Sequence, residues 1–207
     1  RLPAVVPDLD LVEIDARSAR TWPERLDVAI LAHAGEHASV AADLVRRGIC
    51  VVSVNDDLAD VRALVDLDDL AVAHDVSIVV GAGMSPGLTE LLARLLASEL
   101  ASCDEIHIAI HGTAGPACAR QQHRALRGIT EGYHDRRWTQ LPSGSGRELC
   151  YFPEPVGAYD CYRAEMASPL LVHESFPAVD RISARVSANR RDRLTAWLPM
   201  LSPPHRE

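Results

Sequence analysis

Apolar and polar positions in the first half of the chain alternate in the pattern of an α/β protein. Short runs rich in Val and Ile, typical of strands buried on both faces, are separated by segments with apolar residues at helical spacing. This order predicts a parallel sheet with helices on both sides. The predicted strands are LDLVEID, DVAILA, ICVVSVN and VSIVVGAG; the predicted helices are ASVAADLVRR, LADVRALVDLDDLAVAHD and PGLTELLARLLASEL, with TWPERL as a short helix or turn.

The pattern changes after Cys103. DEIHIAIHG places Ile at every second position, which predicts a strand buried on one face. GPACARQQHRALRG has Pro at its start and Gly at its end, which predicts a helix. Residues 129–155 are punctuated by Gly, Pro and Ser and predict irregular structure, and DRISARVSANR predicts another strand. We therefore expect an α/β domain over residues 1–103 and an α+β domain with an antiparallel sheet over residues 104–207.

Composition narrows the class of protein. With 207 residues, 47% of them hydrophobic, the chain suits one large or two small domains. Its formal net charge of −8 gives no electrostatic footprint for nucleic acid. The chain has neither a long apolar run nor a signal-peptide pattern, so we expect no membrane association. Five scattered cysteines without a C-x-x-C motif argue against a disulfide framework and fit the cytoplasm.

The stretch from His33 to His37 reads H-x-x-E-H, the inverted zinc-protease signature. Two histidines four apart converge on a metal only when both lie on one helix. Here a strand-like run precedes His33, and Gly35 separates the two histidines. We therefore expect His33 at a strand end, His37 in the first turn of the next helix, and Gly48 as the C-terminal cap of that helix. The sequence thus predicts no metal site, and a zinc hydrolase ranks third, behind the two hypotheses developed below.

The ends of the predicted strands are the places where a ligand is expected. In an open parallel sheet, ligands bind outside the carboxyl ends of the strands. At the last of these ends Ser85 is expected to cap the following helix, with Pro86 as its first residue. The N–H groups of Gly87 and Leu88 would then attract an anion or a carbonyl oxygen, although Ser-Pro-Gly is equally a plain helix start.

The run from Asp27 to Glu99 resembles the second half of the Rossmann domain in saccharopine dehydrogenase-like oxidoreductases. The residues that carry the resemblance are DVAILAHAGEH, LVRRGICVVSVNDD and VVGAGMSPGLTELLA. The last segment matches a G-x-x-P-G turn that this family places before its substrate domain. The resemblance implies a Rossmann-like parallel sheet lacking its N-terminal portion, followed by an α+β substrate-binding and dimerisation domain. It also implies NAD or NADP as cofactor, a homodimer, and hydride transfer at a C–N or C=O carbon of an amino-acid-like substrate that carries a carboxylate.

The resemblance also assigns cofactor contacts by position, with Asp15 near the adenine and the others along the strand ends. Proton transfer would fall to His33, Asp56 or His111. His111 is also favoured by its place after a strand and by the ordinary pKa of histidine. The implied cofactor-binding residues are Asp15, Ala32, His33, Ala34, Ser53, Asn55, Pro86 and Gly87.

Candidate substrate contacts come mainly from the second half. Arg120 and Arg124 lie four apart on one helix face, and arginine forks suit carboxylates. Arg147 lies in a Gly/Ser loop, where flexible backbone and a charge can meet a ligand. The full set of candidates is Ser85, Arg120, Arg124, Arg147 and Tyr162.

The sequence departs from the family in its nucleotide site. The glycine-rich turn G-x-G-x-x-G is absent, since no Gly precedes Gly35. A complete Rossmann domain would need about 50–60 further residues ahead of Arg1. Ala82 stands where saccharopine reductases carry Cys, which argues against saccharopine itself as the substrate. The alternative hypothesis is therefore a non-catalytic Rossmann-like scaffold or regulatory protein that lacks a nucleotide site.

Overall fold

A computed structural model describes residues 12–112, 115–190, 193, 194 and 196. Its first half contains a three-stranded parallel sheet in the order β1-β2-β3, with a short 3-10 turn ahead of it. The sheet runs β1 to β2 to β3 through helical crossovers, as the alternation of apolar runs predicts. The elements are β1 Val28–Leu31, α1 Ala38–Arg46, β2 Cys50–Ser53, α2 Leu58–Val65, α3 Asp68–Ala73, β3 Ile78–Val80 and α4 Leu88–Ser98.

The second half is built on a six-stranded sheet in which β9 is central. Strand β4 runs parallel to β9, whereas β5 and β8 pair with β9 antiparallel. The expected class, α/β followed by a largely antiparallel α+β part, is confirmed. The elements are β4 Glu105–Ile110, α5 Pro116–Ala125, β5 Ile129–His134, β6 Arg137–Pro142, β7 Glu148–Phe152, β8 Gly157–Arg163, α6 Ser168–Ser175 and β9 Arg181–Ser187.

Helices cover only one face of the parallel sheet in the described residues. Ala29 and Leu31 of β1 are buried against α1. The alternate residues Val28 and Ile30 are 51% and 65% exposed. The expectation of helices on both sides is therefore wrong for this part of the chain, and β1 alternates buried and exposed positions like a strand with one solvated face.

Three predicted segments differ from the structure. Residues 12–15 of LDLVEID lie outside any strand, and Leu9 to Leu11 fall outside the described residues. The long helical stretch from Leu58 is two helices, α2 and α3. Residues 129–155, expected to be irregular, contain β5, β6 and β7. The β5–β6 hairpin turns at Asp135 and Arg136, which have φ of 49° and 60°. Because neither residue is Gly or Pro, the sequence carries no such turn signal there.

The two halves meet through α4 and α6. Ala93 of α4 packs with Ile106, Ile182 and Val172, which form part of the core between the six-stranded sheet and α6. Several leucines of α4 lie at the surface, and Leu91 is 69% exposed. Among the described helices, none has the length and apolar character needed to cross a bilayer.

Candidate functional site

A cavity of about 780 Å³ opens at the carboxyl ends of β1 and β2. The loop after β1, residues 32–36, and the loop after β2, residues 54–57, form its base. Helix α5 closes it from the second half with Cys118, Arg120, Gln121 and Arg124. We call it the strand-end cavity. Its location is the one that the ligand rule for parallel sheets predicts.

A buried histidine holds the two loops together. The His37 side chain is fully buried, with its Nδ1 2.8 Å from Ser53 Oγ and its Nε2 3.0 Å from the carbonyl oxygen of His33. A carbonyl can only accept, so Nε2 carries the proton and Nδ1 accepts from the Ser53 hydroxyl. Burial lowers the pKa of His37, in agreement with a neutral ring. The backbone N–H of Asn55 donates to the same hydroxyl at 3.2 Å.

Asp60 closes the N-terminus of α1. Its carboxylate accepts the backbone N–H of His37 at 3.0 Å and that of Ala38 at 2.9 Å, and it also accepts from the Asn55 side chain. Asp60 is itself 6% exposed. A negative charge at this position satisfies free N–H groups and complements the helix dipole. The α1 N-terminus is therefore occupied by the protein's own carboxylate.

The cavity carries charges of both signs. Burial raises the pKa of Asp56, and the neighbouring Asp57 raises it further. The guanidinium groups of Arg120 and Arg124 line the opposite wall. Gln121 Nε2 lies 3.5 Å from Asp57 Oδ2, which joins α5 to the loop after β2. The arrangement offers a carboxyl group able to exchange protons beside cations able to hold a carboxylate.

The structure brings many of the predicted residues to this cavity. Those that line it are Ala32, His33, Ala34, Asn55, Asp56, Arg120 and Arg124. The sequence analysis assigned no site role to five further residues that line it too, Arg17, Glu36, Asp57, Asp60 and Gln121. Asp57 had a usable signal: it caps α2, accepting from the N–H groups of Ala59 and Asp60, and Asp is a preferred residue there.

Other predicted residues lie away from the cavity. Asp15 forms a local turn, accepting from the Arg17 N–H at 3.0 Å. Ser53 lies behind the lining, bonded to His37. Ser85 contacts Ser168 Oγ at 3.1 Å, and neither Pro86 nor Gly87 lines the cavity.

Three candidates in the second half also lie elsewhere. His111 stacks on Tyr159 with ring centroids 4.0 Å apart. Arg147 pairs with Asp160 at 2.9 Å. Tyr162 is buried, with the guanidinium of Arg193 4.1 Å from its ring centroid.

The start of α4 differs from the prediction. Gly87 is the N-cap and has φ of 137°, so the helix begins at Leu88; Ser85 is not its cap and Pro86 is not its first residue. The Gly87 N–H donates to the Glu90 carboxylate, and the Leu88 N–H donates to Gly83 O at 3.1 Å. The N–H groups expected to attract an anion are therefore already bonded within the chain.

His33 and His37 do not form a metal site. Their rings contact each other edge to face at 4.3 Å, and both nitrogens of His37 are hydrogen-bonded to protein groups. Across the described residues, no three His, Cys, Asp or Glu side chains are grouped as a metal site would require.

Comparison with known proteins finds a distant structural relative. No protein-family model matches the chain, and no curated protein sequence matches it. The chain is similar in structure to apo histidine-tagged saccharopine dehydrogenase (L-Glu forming) from Saccharomyces cerevisiae, with a TM-score of 0.62 at 17% sequence identity. The match covers 89% of this chain and 46% of that one, so the chain spans about half the length of this relative. At this identity the likeness shows the fold alone, here a parallel three-stranded sheet followed by a second, largely antiparallel sheet.

Proposed function

We propose that the chain is part of an NAD(P)-dependent oxidoreductase that transfers hydride to or from a C–N or C=O carbon of an amino-acid-like substrate. The observation that carries the proposal is the strand-end cavity, which joins the carboxyl ends of β1 and β2 to two arginines of α5. Arg120 and Arg124 suit a substrate carboxylate, because guanidinium groups bind carboxylates in a two-pronged geometry. The same proposal includes the assembly of two copies of this chain into a homodimer.

The residues present fit the nicotinamide end of the cofactor. Ala32, Ala34 and Gly35 are small and leave room for a flat ring, while Glu36 and Asp56 favour its positively charged oxidised form. A bound nicotinamide would supply or accept hydride at its C4 atom. Asp56 would hold or release the accompanying proton, since its raised pKa brings the carboxyl closer to neutral pH. His33 is the second group in the cavity able to do so.

A non-catalytic scaffold is the second candidate, favoured by a specific observation. Dinucleotide phosphates usually bind at free helix N-termini. Here the first N–H groups of α1 are accepted by Asp60, and those of α4 by Glu90 and by Gly83 O. The N-termini of α1 and α4 therefore offer no free first N–H groups for a diphosphate.

Titration with NADH and NADPH, followed by nicotinamide fluorescence, separates the two candidates. Ala34→Leu places a large side chain in the strand-end cavity. Ala73→Leu makes the same change at an exposed position of α3 that does not line it. The oxidoreductase proposal expects saturable binding that weakens about tenfold or more in Ala34→Leu and is unchanged in Ala73→Leu. Absence of binding, or equal affinity in both variants, would leave the scaffold.

A further inference from the structure

A second cavity, of about 460 Å³, lies on the six-stranded sheet. Along β4 and β9, Ile106, Ile108 and Ile182 face the core, so the intervening polar residues face the opposite side of the sheet. This polar side forms the cavity, which we call the arginine cleft. It shares no lining residue with the strand-end cavity. Its residues include Glu105, His107, His134, Arg163, Arg181 and Arg185, with Glu148 and Ser183 completing the lining.

Strand register places like charges together in the arginine cleft. Arg163 of β8 lies directly opposite Arg185 of β9 in the antiparallel ladder. Like charges directly opposite one another in a sheet are destabilising. Glu148 Oε2 lies 2.8 Å from Arg185 Nη2, and Glu105 Oε1 lies 3.3 Å from Arg181 Nη1, so each glutamate offsets the charge of one arginine. Since three arginines face two glutamates, one positive charge has no counterpart in the lining when both histidines are neutral.

Arg163 carries that excess charge. Within the described residues its guanidinium bonds only to the Ser145 hydroxyl, through Nη1 at 3.3 Å, and to no carboxylate. It lies against Gly146, where an added Cβ would stand 2.2 Å from Nη1. The loop before β7 thus fixes the guanidinium in the cleft without neutralising it.

The cleft also contains donors that nothing in the described chain accepts. The Nε atoms of Arg163, Arg181 and Arg185 are all buried and lack a hydrogen-bond partner among the described residues, as does Nε2 of His134. Buried donors are nearly always bonded in native proteins, because leaving one unpaired costs about 1–3 kcal/mol. Three such donors around one cavity, the arginine Nε atoms, indicate a ligand that accepts hydrogen bonds.

We propose that the arginine cleft binds a compact oxyanion, accepted by the guanidinium groups of Arg163, Arg181 and Arg185. Phosphate, sulfate and carboxylate groups share this chemistry: negative charge and several acceptor oxygens that match guanidinium forks. The oxyanion can be a free inorganic ion or the acidic group of a larger metabolite. Burial, Arg181 and Arg163 together lower the pKa of His134, so the ring experiences the positive field that such an anion would neutralise.

Isothermal titration with inorganic phosphate, sulfate and glutarate at constant ionic strength tests the proposal. We expect saturable binding that weakens about tenfold or more in Arg163→Gln, through loss of one charged donor group. The matched control is Arg46→Gln, an exposed arginine on α1 that pairs with Asp43, and it should keep wild-type affinity. Binding of phosphate and sulfate alone would identify a tetrahedral anion; binding of glutarate would identify a carboxylate. No binding, or equal affinity in Arg163→Gln and wild type, would overturn the proposal.

A second measurement uses only the wild-type chain. Histidine NMR titrations with and without phosphate should show that the pKa of His134 rises when the anion is present. An unchanged His134 titration would also overturn the proposal. Because the two cavities share no residues, Arg163→Gln should leave nicotinamide binding intact, so either proposal can fail without the other.

Discussion

Asp60 provides the sharpest test of how the strand-end cavity is held together. Its carboxylate accepts two backbone N–H groups at the start of α1 and the amide of Asn55, while almost wholly buried. Asp60→Ala removes all of these acceptors and leaves buried donors unpaired. We expect a loss of about 2–4 kcal/mol in the free energy of unfolding, from a lost helix cap and unsatisfied N–H groups.

Asp60→Asn separates charge from hydrogen bonding. The amide keeps one acceptor oxygen but loses the charge facing the helix dipole and turns an NH₂ group toward other donors. We expect a loss of about 1–2 kcal/mol, which lowers a urea midpoint by about 0.5–1 M at an m-value near 2 kcal/mol/M. Asp68→Asn, an exposed position in the first turn of α3, should stay within about 0.5 kcal/mol of wild type.

Urea unfolding followed by far-UV circular dichroism measures these differences. The m-values of all variants must agree, since a changed slope would signal altered compactness rather than a lost contact. If Asp60→Asn unfolds within 0.5 kcal/mol of wild type, as Asp68→Asn should, the carboxylate is not what anchors α1 to the loop after β2, and the description of the site is wrong.

Three further predictions follow from other contacts. Gly87→Ala should lower the free energy of unfolding by about 3 kcal/mol or more, because the added Cβ would stand 2.2 Å from Gly83 O. Gly48→Ala, which has open space around it, should lower it by about 1–2 kcal/mol. Urea midpoints measure both losses, and equal losses would contradict the clash at Gly87. Burial lowers the pKa of His37 in the folded chain below 6.5. As the pH falls below about 6.5, the unfolded chain therefore binds a proton at this histidine before the folded chain does, and the free energy of unfolding decreases. Stability measured at pH 7.5 and 5.5 should therefore fall less in His37→Gln than in wild type, and an equal fall would refute this. Burial and the adjacent Cys150 raise the pKa of Cys161 to about 12, so iodoacetamide mapped by mass spectrometry at pH 8 should label exposed Cys118 well before Cys161; early labelling of Cys161 would contradict its burial.

The sequence by itself determined the elements whose signals are local. The apolar run before His33 became β1, and the amphipathic segment after His37 became α1. Gly48 ends that helix with φ of 74° and an N–H bonded to Val45 O, as its place after the periodic residues predicts. The 120/124 spacing likewise placed both arginines on one face of α5, and in the folded chain that face lines the cavity.

The β5–β6 hairpin, which has no Gly or Pro in its turn, was decided by tertiary structure. Strands β5 to β7 are short and partly exposed, and their pairing depends on contacts with distant parts of the sheet, such as the pairing of Tyr133 with Ile182. The turn at Asp135 and Arg136 adopts left-handed backbone without glycine, so residues 129–155 look irregular when only neighbouring residues are considered.

The polar chemistry of both cavities also required the folded chain. Asp60 reaches the start of α1 across 23 residues, and Arg163 meets Arg185 only through the ladder between β8 and β9. Local periodicity fixes which face of an element is apolar, but it carries no information about which distant side chain lies opposite. That is set by sheet order and register, and both cavities follow from them.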